Sequence, residues 1–71
     1  MKERKAYRGH IIDVRALPLY GGGWTAHYSI EKHLNDMVLD TPFQSGKVFA
    51  TGEAALQCGI ALAAQKIESC F

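Results

Sequence analysis

Seventy-one residues, 48% apolar and 21% charged with a net charge of +1, describe one small globular domain over residues 1–71. This composition excludes a disordered chain, and the near-neutral balance excludes a global field that would draw the molecule to nucleic acid or anionic lipid. A chain this short buries only about 60% of the surface that its unfolded form exposes, so such cores are commonly supplemented by a disulfide, a metal or a partner subunit.

In chain order, residues 1–6 (MKERKA) read as a flexible basic arm. A first strand is expected over about 7–19, where Ile12, Val14 and Ala16 alternate with Asp13 and Arg15 and so turn one apolar face inward. Leu17 and Leu19 break the alternation on the outer side, and Pro18, which cannot donate to a ladder, suggests an edge position. Gly21-Gly22-Gly23 marks a turn. A second strand is expected over about 24–32, with Trp24, Ala26, Tyr28 and Ile30 on one face and Thr25, His27, Ser29 and Glu31 on the other. Even-numbered residues point inward on both strands. A three-residue loop over the glycines would set Tyr20 opposite Trp24, Ala16 opposite Tyr28 and Val14 opposite Ile30.

Residues 33–46 (HLNDMVLDTPFQSG) carry turn chemistry at Asn35-Asp36, Thr41-Pro42 and Ser45-Gly46. Met37-Val38-Leu39 between them reads either as a short strand extension or as a loop tucked over the core. A third, short strand is expected over 47–50 with Phe49 inward. Past Thr51 the apolar period lengthens: Leu56, Ile60, Ala63, Ala64 and Ile67 form one stripe of a helix over about 52–69. Thr51 is its N-cap, placed to accept from the amide of Glu53 or Ala54, and Glu53 complements the dipole of the first turn. Gly59 costs about 1 kcal/mol against alanine in mid-helix, which points to close approach of a bulky strand residue such as Trp24 or Tyr28. The expected fold is therefore α+β, a three-stranded antiparallel sheet with one face covered by a single C-terminal helix in the order β-β-β-α.

The segments GGGW and FATGEAALQCGIALAAQKIES resemble a group of small uncharacterised bacterial proteins. That group shares a Gly-rich turn before Trp and then F-A-T-x-x-x-A leading an alanine-rich C-terminal helix. The matching positions are Trp24, Phe49, Ala50, Thr51, Ala55, Gly59, Ala63, Ile67 and Glu68. Ala54 stands where the group commonly has an acidic residue. The shared motifs are structural, so the resemblance implies the β-β-β-α fold and no established activity.

Cys58 and Cys70 are too few for a disulfide framework. On one helix they lie about 18 Å apart, beyond the ~7 Å reach of a bridge, and free thiols fit a reducing cytoplasm. The charged start has no apolar stretch behind it, so no signal peptide is expected, and no run approaches the ~20 apolar residues of a membrane span. The expected location is cytoplasmic.

His10, His27 and His33 lack the paired spacing of a metal site and read as surface histidines. Cys58 sits among Ala54, Ala55, Ala61 and Leu62, an apolar setting that does not favour a thiolate. Asp13, Glu31, Asp36 and Asp40 show no convergent spacing for acid–base work. No catalytic residue, cofactor or metal is expected. Beyond the inward stripe, the helix carries further apolar residues, and Ala54, Cys58, Ala61 and Leu62 form a candidate protein interface. The first strand as an exposed edge offers a second route to association. Lys2, Arg4, Lys5, Arg8 and Arg15 are candidate nucleic-acid contacts, set against the plainer reading of a solvated basic arm. The function read from the sequence is a non-enzymatic module that self-associates or binds a protein partner, with weak nucleic-acid binding as the alternative.

Overall fold

Alternation begins earlier and ends later than the apolar pattern alone implies. The computed structural model describes residues 1–70, without the Cys70 side chain. Its elements are β1 (Lys2–Tyr7), β2 (His10–Pro18), β3 (Trp24–Leu34), β4 (Met37–Gln44) and α1 (Gly52–Cys70). The strands form a single antiparallel meander in the order β1-β2-β3-β4. The fold is α+β with one C-terminal helix on an antiparallel sheet, but with four strands rather than three.

Three corrections account for the difference. The basic arm is a strand: Lys2 to Tyr7 pair with Arg15 to His10. The long first strand therefore divides at Arg8-Gly9, whose φ values of 48° and 79° are those of a two-residue type I′ hairpin turn. With β1 beside it, β2 is a central strand, so the expected edge at this strand is absent. Pro18 is tolerated because its nitrogen points towards β1, which has already ended: β1 starts at the partner of Arg15, and Met1 reaches only Ala16, whose N–H donates to the Met1 carbonyl at 2.8 Å.

Met37-Val38-Leu39 is neither a loop nor a short extension but the start of a full strand. Segment 33–46 closes β3 with a hairpin through Asn35-Asp36 and forms β4. In place of a third strand at 47–50 there is a single bridge in which Trp24 and Phe49 exchange hydrogen bonds of 2.8 and 2.7 Å.

The β2–β3 turn is three residues long as expected, yet displaced by one. Leu19 closes it with Gly23 (2.9 Å), and Gly22 donates to Leu19 (3.0 Å). Ile12 accordingly faces Ile30, Val14 faces Tyr28 and Ala16 faces Ala26. Parity survives such a two-step shift, so the inward face is the expected one.

Ile12, Val14, Ala16, Ala26, Tyr28 and Ile30 are buried beneath Ala55, Leu56, Ala63 and Ile67 of α1. Trp24, Phe49, Ile60, Leu62 and Ala64 are half-buried around them. The helix begins as expected, with the Ala54 amide donating to Thr51 Oγ1 at 3.1 Å. Gly59 meets neither expected aromatic: a Cβ there would lie 2.5 Å from Val14 Cγ1 and 3.4 Å from Ala26 Cβ. The inward parity also extends to His10, which is buried rather than on the surface, its Nδ1 3.0 Å from the Arg8 carbonyl.

Candidate functional site

Helix α1 packs over β2 and β3, touches β1 only marginally and does not lie over β4. Lys66 reaches across, its Nζ 4.7 Å from the centre of the Phe43 ring, which in turn stacks on Tyr28 at 5.2 Å. Burial and the nearby Cys58 push the Tyr28 phenol up from its ordinary value. The remainder of β4 is exposed. The β3–β4 hairpin thus runs past the core, within a molecule whose long axis is 43 Å.

That hairpin carries the apolar surface that stands out. Leu34, Met37, Val38 and Leu39 are 40, 55, 54 and 44% exposed. Register places Leu34, Met37 and Leu39 on the helix side of the sheet and Val38 on the open side. Leu34, Met37 and Leu39 thus adjoin on one face, whereas other exposed apolar residues such as Tyr20 and Val48 stand elsewhere, and scattered ones are ordinary.

β4 also has a free edge whose polarity can be read residue by residue. Ser45 donates to the Ala26 carbonyl at 3.0 Å, which continues the β3–β4 register. Odd-numbered residues of β4 therefore bond to β3, while the backbone groups of Val38, Asp40, Pro42 and Gln44 point away from the sheet. Pro42 fits this assignment, since the N–H it lacks is one that β3 does not use.

The open face of the sheet is polar. Arg4 donates to Glu31 at 2.8 and 3.1 Å and to Asp13 at 3.2 Å, and His33 Nε2 lies 3.2 Å from Glu31. The Arg4 guanidinium, with lesser help from His33, holds the Glu31 carboxyl below its ordinary value, and Glu31 in turn raises Arg4. A groove of about 440 Å³ runs along this face, lined by Asp13, Arg15, His27, Ser29, Asp40 and Pro42 among others. It is only partly enclosed, whereas ligand pockets enclose most of their ligand. Among the described residues no group of His, Cys, Asp or Glu could hold a metal ion.

The residues proposed from sequence separate on this frame. Ala54 and Ala61 are exposed on the outer side of α1, beside Gln57 and Gln65. Cys58 and Leu62 are half-buried, and Leu62 packs against the core. The four do not form one outward apolar patch, because the helix is rotated so that Ala55 and Gly59 face inward.

Of the basic residues, Lys2 and Arg15 are register partners on the open face, with His27 next in the same row. Arg4 lies on that face but is held by two carboxylates. Lys5 is on the helix side, opposite Ile12. Arg8 sits in the turn, 5.6 Å from the Tyr7 ring centre and 3.9 Å from Glu68, which also accepts from the Tyr7 hydroxyl.

Sequence reasoning missed Met37, Val38, Leu39 and Asp40 as surface-forming residues. The signal was the alternation of Met37, Leu39, Thr41 and Phe43, masked by Val38 and by a proline that reads as a strand breaker. No described helix is long and apolar enough to cross a membrane.

Comparison with curated proteins and with solved structures found no match to this chain. The family model described as a domain of unknown function, DUF6566, matches residues 1–71, so the chain belongs to that family, in keeping with the resemblance to small proteins of no established activity.

Proposed function

We propose that this protein is a non-enzymatic interaction module, and that it self-associates or docks a protein partner through the β3–β4 hairpin and the free edge of β4. The observation that carries this reading is the coincidence of two features on one element. Leu34, Met37, Val38 and Leu39 expose apolar surface beyond the helix, and the same strand offers unpaired backbone donors and acceptors at Val38 and Asp40. Edge strands with both features accept a further strand, hydrogen bonds supplying affinity and side chains selectivity. The non-enzymatic part rests on the open groove and on carboxylates already engaged by Arg4.

In-cell photo-crosslinking tests the reading. A photoreactive residue at Val38 should give a discrete adduct, whether with a second copy or with another protein, and one at the exposed Gln57 of α1 should give none. No adduct at Val38, or the same adducts from both positions, would contradict it.

A second reading has one observation in its favour. Lys2, Arg15 and His27 line up across three strands of the open face at about 4.8 Å per strand, a spacing that suits an anionic backbone. It lacks the aromatics of a base-stacking sheet, since Trp24 and Tyr28 lie on the helix side. Titration with a short RNA or DNA should then shift the amides of Lys2, Arg15 and His27, fading steeply with salt; no shift at low salt would dismiss it.

A further inference from the structure

We propose that the occupant of the β4 edge is a second copy of this chain, paired antiparallel about a two-fold axis at Leu39. This inference rests on the reading of β4 as the docking element and specifies its partner.

Outward-pointing groups occur only at even-numbered positions of β4, so two copies bond only where even residues face even residues. That leaves a short series of registers, and the charges and the proline discriminate among them. A two-fold at Asp40 sets that carboxylate against its own copy and leaves Val38 facing Pro42, which has no N–H to give. A two-fold at Val38 sets Asp40 of each copy against Asp36 of the other. Like charges directly opposite are destabilising. Registers centred further along bring Pro42 into the bonded pairs and lose a donor in each.

A two-fold at Leu39 opposes no like charges, and it brings Pro42 only against Asp36 in the hairpin turn, outside the strand pairing. Val38 of each copy faces Asp40 of the other, each pair exchanging both backbone hydrogen bonds. On the helix side, Leu39 meets Leu39 and Met37 meets Thr41, with Leu34 flanking. The residues 34, 37 and 39 that the helix leaves uncovered thus become the inside of a contact. The axis stands perpendicular to the sheet, so the product is one eight-stranded sheet with both helices on the same face. The symmetry closes, so no fibre results. A contact of this length lies at or below the ~1,200–2,000 Å² of stable interfaces, so the dimer is dissociable.

Three variants of the full chain test the geometry. Sedimentation at high micromolar concentration should show a dimer for the wild type. Val38→Pro removes an outward N–H that β3 does not use, as Pro42 already does. It should keep its circular dichroism spectrum and weaken dimerisation by on the order of ten- to hundredfold. Leu39→Cys, with Cys58→Ser and Cys70→Ser, should form a disulfide-linked dimer on mild oxidation, because a non-hydrogen-bonded pair holds its Cα atoms about 4.5 Å apart. Thr41→Cys in the same background should not, since the axis separates the two copies of this residue by about 13 Å. A monomer at every concentration, a dimer that Val38→Pro leaves intact, or Thr41→Cys linking as readily as Leu39→Cys would overturn the proposal. A monomer that still crosslinks from Val38 to another protein in cells would overturn this inference and leave the docking reading standing.

Discussion

Gly59 sets how closely α1 approaches the sheet. A Cβ at this position would stand 2.5 Å from the buried Val14 side chain, and a β-branched residue held between two strands has few rotamers to retreat into. Overpacking of about 1–3 kcal/mol exceeds the gain of about 1 kcal/mol in helix propensity. Gly59→Ala should therefore lower unfolding stability, by up to about 2 kcal/mol. Urea denaturation checks this, and an unchanged or raised midpoint would show that Val14 yields.

Arg4 makes a prediction of a different kind. It holds the Glu31 carboxyl below the ordinary 4.5, so the folded state takes up that proton less readily than the unfolded one. The associated stability is present above about 4.5 and is lost as pH falls through the depressed value. Arg4→Gln should thus be less stable than wild type at neutral pH, with the gap closing below about 4.5; a gap that stays constant with pH would contradict it. The Thr51 cap and the even-numbered core were legible in the sequence because each is a local pattern. His10 was not, because a histidine at an inward position looks the same on the page as one outside.

At the scale of elements, the hairpins decide what could and could not be read. Tyr7 to Leu19 read as one strand because Arg8 is a poor resident of a left-handed turn, and only Gly9 marks the position. Arg8→Asn would supply the preferred first residue of a type I′ turn. The gain should be roughly 0.5–1 kcal/mol, against the loss of an exposed ion pair with Glu68 that contributes little. A rise in the denaturation midpoint would bear this out and a fall would contradict it. β1 escaped notice because its helix-side residues Glu3 and Lys5 lie beyond the helix and have no reason to be apolar. β4 escaped because Pro42 argues against a strand unless the strand is an edge. The helix was legible throughout, its 3.6 period being unbroken from Ala55 to Ile67, though its rotation was set by two small residues, Ala55 and Gly59, that carry little hydrophobic signal.

For the whole molecule, one helix is too narrow for four strands. It covers β2 and β3 and leaves β4 with an apolar end and a free edge. The sequence pointed to surplus apolar surface on the helix, at Ala54, Cys58, Ala61 and Leu62; in the structure Leu62 is half-buried against the core, and Leu34, Met37, Val38 and Leu39 of the β3–β4 hairpin are exposed as well. Whether this edge serves self-association is tested most directly by amide hydrogen exchange at millimolar concentration. We expect the Val38 and Asp40 amides to exchange as slowly as those of Leu39 and Thr41, which bond to β3. Free exchange at Val38 and Asp40 beside protected Leu39 and Thr41 would contradict pairing at the β4 edge.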